Sequence, residues 1–232
     1  MISLAARTVA EEQMDAPDLP AETYRQVLAD LAKVNRATLS SRPTLSFLKR
    51  ALGERRRFKL LDVGFGQGDM LRAIARWAGK RGLAADLVGV DLNPNSEIMA
   101  REATDPAMTI RYLTGDYRDQ AGDGWDFVVS SFVTHHMTPQ QLDDFLRFME
   151  RESAMGWLVN DLHRHAFAYY GFPLLARIAG WHRIVREDGQ LSIARSFRPA
   201  EWHALLAQAG LAGTGAQLVR RFPFRLCVER IR

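Results

Sequence analysis

The chain has little cysteine and no long apolar segment, and both absences narrow what it can be. Cys227 is the only cysteine among 232 residues, which excludes an internal disulfide and a multi-thiolate metal site. No run of about 18 apolar residues occurs, so the sequence predicts no membrane span. Residues 1–18 mix acidic and apolar side chains, a pattern that does not predict a signal peptide. We therefore expect a cytoplasmic protein.

An excess of one charge is also lacking. The net charge is only +4, and the two arginine clusters, Arg55–Arg57 and Arg220–Arg221, are short. Neither cluster is interleaved with aromatic residues in the way that RNA-reading surfaces are. We expect a small-molecule substrate and no nucleic acid as partner, whereas the oligomeric state stays open.

The most informative stretch is a glycine-rich turn within Phe58–Asp69. An apolar run ends near Asp62, glycines follow at positions 64, 66 and 68, and a helical periodicity begins after them. This pattern predicts a buried strand, a tight turn and a helix. At such a turn the backbone amides are exposed to a ligand, because glycine has no Cβ to shield them.

The residues around the glycines indicate the kind of ligand. A dinucleotide-binding turn has the spacing G-x-G-x-x-G, but Asp69 stands where the third glycine would be. The carboxylate of Asp62 would repel a pyrophosphate and attract a cationic ligand, which disfavours an NAD-dependent oxidoreductase. The pattern D-x-G-x-G-x-G resembles motif I of the class I S-adenosylmethionine-dependent methyltransferases, whose cofactor carries a sulfonium and an ammonium group. Any glycine-rich turn of an α/β protein is the alternative.

Further apolar segments define the fold class. Five short strands, predicted at 58–62, 86–92, 109–113, 125–131 and 155–162, alternate with helical patterns, as in a doubly wound parallel sheet. Two more strands, at 216–222 and 225–231, form a terminal hairpin. The resemblance implies an α/β, Rossmann-like doubly wound seven-stranded sheet, mostly parallel with an antiparallel C-terminal strand, plus N-terminal helices.

The same reading divides the chain into two parts. Residues 1–56 are predicted to form an N-terminal helical segment or cap. Residues 57–232 resemble a class I methyltransferase domain with a lid-like insertion at about 163–195, a segment rich in aromatic residues.

Candidate cofactor-binding residues follow the first four strands. Asp91 ends the second strand, one strand–helix–strand unit beyond Gly68, where a carboxylate can accept hydrogen bonds from ribose hydroxyls. The resemblance implies that Asp116 and Tyr117 contact the adenine. It also implies S-adenosylmethionine as cofactor and S-adenosylhomocysteine as product. The full predicted cofactor set is Asp62, Gly64, Phe65, Gly66, Gly68, Asp91, Leu92, Asp116, Tyr117 and Ser131.

Histidines and aromatic residues follow strands four and five. His135, His136 and His163 are candidate catalytic residues, because a neutral imidazole near the carboxyl ends of the strands can take a proton from a phenol. The predicted substrate pocket comprises Phe132, His165, Phe167, Tyr169 and Tyr170.

Absent motifs limit the reaction further. Ser131–Thr134 replaces the [DN]-P-P-[FY] signature of enzymes that methylate base or amide nitrogens. No H-x-x-x-H or thiolate spacing supports a metal ion, so none is predicted. We expect a methyltransferase that acts on a small molecule, with O-methylation of a phenolic or polyketide-type acceptor. The alternatives are a methyltransferase of a protein or RNA acceptor and a cofactor-binding protein without transferase activity.

Overall fold

The computed structural model describes residues 4–16 and 18–232, and Pro17 lies outside them. The described residues form one seven-stranded sheet with the strand order β3-β2-β1-β4-β5-β7-β6. Strands β1 to β5 pair in parallel, whereas β7 lies antiparallel between β5 and β6. The predicted fold class is confirmed, including the antiparallel C-terminal strand.

Helices and strands alternate along the chain as predicted. The strands are β1 (Arg57–Val63), β2 (Ala84–Asp91), β3 (Ile110–Thr114), β4 (Trp125–Ser131), β5 (Ser153–Leu162), β6 (Gln217–Arg221) and β7 (Arg225–Ile231). The helices are α1 (Ala21–Ala37), α2 (Ser41–Leu52), α3 (Asp69–Gly79), α4 (Pro94–Glu102), α5 (Pro139–Glu152), α6 (Ala166–Ile178), α7 (Arg183–Arg195) and α8 (Pro199–Gln208).

Both faces of the sheet are covered, so the central strands are apolar on both sides. In β1, Phe58 and Leu60 pack in the core that α2 and α3 share. Leu61 and Val63 point to the other face and pack with α5 and α8. The side chains alternate because the strand has a period of two residues.

Other helices lie beyond these two layers, at the carboxyl ends of the parallel strands. The segment 163–195, predicted as an insertion, forms α6 and α7, which pack on each other. Helix α7 also contacts α1 and the short 3-10 turn Gln13–Asp15. None of the described helices is both long enough and apolar enough to cross a membrane.

Candidate active site

The glycine turn connects β1 to α3 in a conformation that other residues rarely adopt. Gly64, Gly66 and Gly68 have φ values of +75°, +54° and +75°. A Cβ at Gly68 would lie 2.6 Å from Oη of Tyr112, so this glycine is needed for packing. At Gly66 the same position is open. The turn therefore presents its backbone at Gly66 to a ligand, whereas Gly68 fits α3 against the sheet.

Asp91 is fixed at the edge of this turn. Its Oδ2 accepts a hydrogen bond from the backbone N–H of Gly66 at 2.9 Å, and its Oδ1 accepts one from Asn93 at 2.9 Å. These bonds connect the end of β2 to the turn after β1. The carboxylate thus lies where the sequence predicts a ribose-binding group.

Asp62 supplies an uncompensated negative charge beneath the turn. Only 1% of the residue is exposed, and within the described residues its carboxylate has neither a hydrogen-bond partner nor an ion pair. Burial, with the nearby charges of Asp69 and Asp91, raises the pKa of Asp62 well above its usual value. A cationic group bound here would stabilise the ionised carboxylate.

The predicted adenine end lies at the turn after β3. Asp116 accepts hydrogen bonds from the backbone N–H of Arg118 at 2.8 Å and from its guanidinium at 2.5 Å. These bonds lower the pKa of Asp116. The ring of Tyr117 packs edge-on against Phe145 and Phe148, at centroid distances of 5.0 and 4.8 Å.

One cavity of about 850 Å³ connects these groups. Nine of the ten predicted cofactor residues line it, the exception being Gly68. At the bottom of the cavity, Oγ of Ser131 is shielded from solvent and has no hydrogen-bond partner among the described residues. An unpaired hydroxyl, an unpaired carboxylate and an open glycine backbone fit a ligand that has hydroxyl groups and a cationic end.

The cavity lining also contains two of the three predicted catalytic histidines. His135 and His136 lie in a 3-10 turn after β4. Nδ1 of His135 lies 2.8 Å from Oδ1 of Asp161, and the backbone N–H of His135 donates to Oδ2 of the same carboxylate. Thr134 Oγ1 also donates to Asp161. Although burial opposes it, pairing raises the pKa of His135 to about 9 and lowers that of Asp161 to about 2.

Glu12, from the N-terminal segment, lies between the two histidines. Its Oε1 is 3.6 Å from Nε2 of His135 and 3.8 Å from Nε2 of His136. The hydroxyl of Ser192, on α7, donates a hydrogen bond to the same oxygen at 2.8 Å. The two histidines lower the pKa of Glu12 although burial opposes this. We refer to Glu12, His135 and His136 as the acceptor cluster.

Arg7 connects the N-terminal segment to the 3-10 turn that contains His135 through hydrogen bonds. Its guanidinium donates to the backbone carbonyls of His135 and Met137 at 2.5 and 2.8 Å. It also donates to the carbonyl of Arg195 at 2.5 Å and lies over the ring of Phe197. Arg195 in turn donates to the carbonyl of Ala10 at 3.0 Å. These hydrogen bonds fix the chain at Arg7 and Ala10, so contacts other than those of its own side chain also position Glu12.

Aromatic residues form much of the remaining wall. Phe132 has φ +62°, a strained value for a residue with a side chain, and its ring lies 4.5 Å from the guanidinium carbon of Arg225. Phe167 and Phe224 stack on each other, with centroids 5.7 Å apart, and line the cavity at its entrance. The strained backbone of Phe132 turns the chain from β4 into the cavity wall.

Four of the residues predicted for catalysis or for the substrate pocket lie away from the cavity lining. His163 has its pKa lowered to about 4 by burial and by the positive charges around it, beginning with His165. His165 caps α6 by accepting a hydrogen bond from the N–H of Phe167. Tyr169 is buried against α7, whereas Tyr170 is 57% exposed on the outer face of α6. None of the four is among the described residues that line the cavity.

Sequence reasoning predicted an N-terminal segment or cap but did not identify the residues of that segment that reach the site. Glu12 and Arg7 stand in a stretch without periodicity, and nothing local distinguishes Glu12 from its neighbour Glu11. Asn35, on α1, also lines the cavity and donates a hydrogen bond to Asp69 at 3.1 Å. Only the folded chain shows which polar residues of this segment reach the site.

Comparisons with known proteins concern the fold and the domain family. Residues 60–153 match the model of a methyltransferase domain family. No curated protein sequence matches the chain. This domain-family match and the seven-stranded fold agree with the resemblance to class I methyltransferases that the sequence indicates.

Similar solved structures support the fold. The plantazolicin methyltransferase BpumL, in complex with a pentazolic desmethylPZN analog and SAH, superposes with a TM-score of 0.62 at 14% identity over 85% of this chain and 73% of that one. Magnesium protoporphyrin IX methyltransferase from Synechocystis PCC 6803, with bound SAH, superposes with a TM-score of 0.55 at 15% identity, over 95% of this chain and 91% of that one. Human N-acetylserotonin methyltransferase, in complex with SAM, superposes with a TM-score of 0.63 at 15% identity, over 92% of this chain and 56% of that one. These enzymes were crystallised with the cofactor or product that the sequence predicts here.

Proposed function

We propose that the protein transfers a methyl group from S-adenosylmethionine to a hydroxyl group of a small phenolic or polyketide-type acceptor. One observation carries the proposal. A single cavity is lined both by the glycine turn, with the unpaired carboxylate of Asp62, and by the acceptor cluster.

Each polar part of S-adenosylmethionine would have a polar partner around the glycine turn and the ends of β2 and β3. Asp62 would hold the ammonium group, because its buried carboxylate lacks a positive partner among the described residues. Asp91 would hold the ribose hydroxyls, since its carboxylate is already positioned by Gly66 and Asn93. Asp116 and Tyr117 would border the adenine. S-Adenosylmethionine supplies an electrophilic methyl group on a sulfonium, which is an activated leaving group.

The acceptor would lie between the aromatic wall and the acceptor cluster. Phe132, Phe167 and Phe224 offer flat apolar surface, which suits an aromatic ring. The cluster holds the acceptor's hydroxyl group and favours loss of its proton. Helices α6 and α7 line this side of the cavity, so residues 163–195 remain our proposed lid. The named neighbours are a plantazolicin methyltransferase in complex with a pentazolic desmethylPZN analog, a magnesium protoporphyrin IX methyltransferase and an N-acetylserotonin methyltransferase. This range is compatible with a small-molecule acceptor.

A methyl-transfer assay tests the proposal. Purified protein is incubated with S-adenosylmethionine and a panel of phenols and hydroxylated polyketides, and products are analysed by mass spectrometry. We expect a product heavier by one methylene unit at a hydroxyl oxygen, with turnover lowered at least tenfold in His136→Asn. His203→Asn, on the exposed face of α8, is the matched control.

Three outcomes would contradict the proposal. Methylation of added protein or RNA but of no phenol would favour a macromolecular acceptor. Cofactor binding with no transfer to any acceptor would favour a binding protein. Equal turnover in His136→Asn and the wild type would remove the cluster from the reaction.

A further inference from the structure

The acceptor cluster brings three potential metal ligands together. Nε2 of His135, Nε2 of His136 and a carboxylate oxygen of Glu12 all lie within 4.8 Å of one another. His135 and Glu12 are buried, and His136 is half-buried. All three residues line the cavity, so an ion between them would face the space where the acceptor binds.

The distances within the cluster suit a shared ion better than hydrogen bonds. Oε1 of Glu12 is 3.6 and 3.8 Å from the two Nε2 atoms, whereas N–H···O hydrogen bonds measure about 2.7–3.2 Å. Two ligand atoms, each about 2.0–2.2 Å from one tetrahedral zinc ion, are about 3.3–3.6 Å apart. The two distances from Glu12 to the histidines are within a few tenths of an ångström of this range, and all three ligand atoms lie within 4.8 Å of one another.

The groups behind the cluster support its ligand role. Oδ1 of Asp161 lies 2.8 Å from Nδ1 of His135, so it can hold that N–H and present Nε2 as the lone-pair donor. This carboxylate–histidine arrangement is the usual support of a metal-bound imidazole. Ser192 donates to Oε1 of Glu12 and thereby orients the third ligand.

We propose that Glu12, His135 and His136 bind one divalent transition-metal ion, with Zn²⁺ favoured. Two imidazoles and one carboxylate are typical ligands of Zn²⁺, whereas Mg²⁺ prefers oxygen ligands. Three protein ligands leave a coordination position open, as in catalytic zinc sites. The sequence predicts no metal because its spacing rules do not include a ligand from the N-terminal segment.

The consequence for catalysis rests on the proposed function. The acceptor's hydroxyl oxygen would bind at the open position, and its proton would leave to solvent because the ion lowers the pKa of a coordinated hydroxyl. The oxygen then forms a bond to the methyl carbon. The carbon–sulfur bond breaks, its electron pair stays on sulfur, and S-adenosylhomocysteine leaves.

Metal titration tests the site without acceptor or cofactor. Protein freed of metal by a chelator is titrated with Zn²⁺ by calorimetry, and Co²⁺ is added separately to record its visible absorption spectrum. We expect one Zn²⁺ per chain and a Co²⁺ spectrum typical of four- or five-coordination. Glu12→Gln should weaken Zn²⁺ binding at least tenfold, while Glu11→Gln, an exposed neighbour on the same segment, should bind as the wild type does. Asp161→Asn should weaken binding by about 10–100-fold.

The outcomes separate this proposal from the proposed function. Absence of stoichiometric Zn²⁺ binding, or equal binding by Glu12→Gln and Glu11→Gln, would overturn the metal site, while phenol methylation would then proceed without it. Far-ultraviolet circular dichroism identifies a variant that has not folded. If a variant does not fold, the Co²⁺ spectrum of the wild type tests the metal site instead. Two imidazoles and one carboxylate give a spectrum that differs from that of Co²⁺ in water, and a spectrum equal to that of Co²⁺ in water would overturn the site. Zn²⁺ binding without methylation of any hydroxyl would instead contradict the proposed function alone.

Discussion

Oε1 of Glu12 lies 3.6 Å from Nε2 of His135, so the N-terminal segment and the end of β4 share one site. His135 is anchored from behind by Asp161, at the end of β5. Residues far apart in sequence therefore meet at the carboxyl edge of the sheet, where the ligands of open α/β sheets bind. The N-terminal segment forms part of this cavity and does more than pack against the domain.

Loss of the Asp91 carboxylate should weaken cofactor binding. We expect Asp91→Asn to raise the dissociation constant of S-adenosylmethionine at least tenfold, or about 1.4 kcal/mol. The physical reason is the loss of an ionised acceptor for the ribose hydroxyls and of one of the two hydrogen bonds that the carboxylate accepts from Gly66 and Asn93. Calorimetric titration measures the effect. Asp86→Asn, an exposed position on the same strand, is the control, and an unchanged constant in Asp91→Asn would exclude the ribose role.

Neutralising Asp62 should stabilise the ligand-free protein while weakening cofactor binding. Burial raises the pKa of Asp62 in the folded state, so its contribution to stability is complete below the unfolded pKa and is lost as the pH rises toward the folded pKa. At pH 7 we expect Asp62→Asn to melt at least ~2 °C higher, or about 1 kcal/mol for a chain of this size. Below about pH 4 the difference should vanish, since the unfolded carboxyl is then protonated as well.

Thermal melts across this pH range, with and without S-adenosylmethionine, measure both effects. If Asp62→Asn melted lower than the wild type at pH 7, the carboxylate would stabilise the folded protein, and the interpretation of an uncompensated charge would be wrong. If S-adenosylmethionine stabilised both proteins equally, Asp62 would not hold the ammonium group.

Removing Arg7 should loosen the N-terminal segment. Its guanidinium donates to three backbone carbonyls, and hydrogen bonds to a charged group contribute about 1.5–3 kcal/mol. We expect Arg7→Ala to increase hydrogen exchange in residues 4–16 and to lower turnover by displacing Glu12. Exchange in β1 to β5 should not change. Unaltered exchange in the segment would show that contacts other than those of Arg7 hold it.

The glycines of the turn should differ in their tolerance of a methyl group. Both Gly66 and Gly68 have positive φ, which costs a residue with a side chain about 1–2 kcal/mol. Gly68→Ala would also place its Cβ 2.6 Å from Tyr112, so we expect it to lose more stability than Gly66→Ala. Gly66→Ala should mainly reduce cofactor affinity. Urea unfolding and calorimetric titration separate the two effects, and equal stability losses would refute the packing role of Gly68.

Local sequence patterns were sufficient to predict the fold and the predicted cofactor-binding part of the cavity. The apolar strand segments and the glycine turn each have a physical signature within a few residues, and the strands appear close to the predicted places. Asp62 and Asp91 follow from the same logic, because parallel strands end at one edge of the sheet.

The residues of the proposed acceptor-binding part of the cavity could be predicted only in part. His135 and His136 directly follow a strand, so their position was predictable. The directions of His163, His165, Tyr169 and Tyr170 depend on how α6 sits on the sheet, which no local pattern specifies. The position of Glu12 depends on how α7 packs on the N-terminal segment, which has no periodicity of its own.

The crystal structure of the protein with S-adenosylhomocysteine would test the central claim most directly. Our account predicts the ribose hydroxyls within hydrogen-bond distance of Asp91, the ammonium group beside Asp62 and the sulfur facing Glu12, His135 and His136 across the cavity. Electron density that places the adenosine away from Asp91, or turns the sulfur away from these three residues, would contradict it.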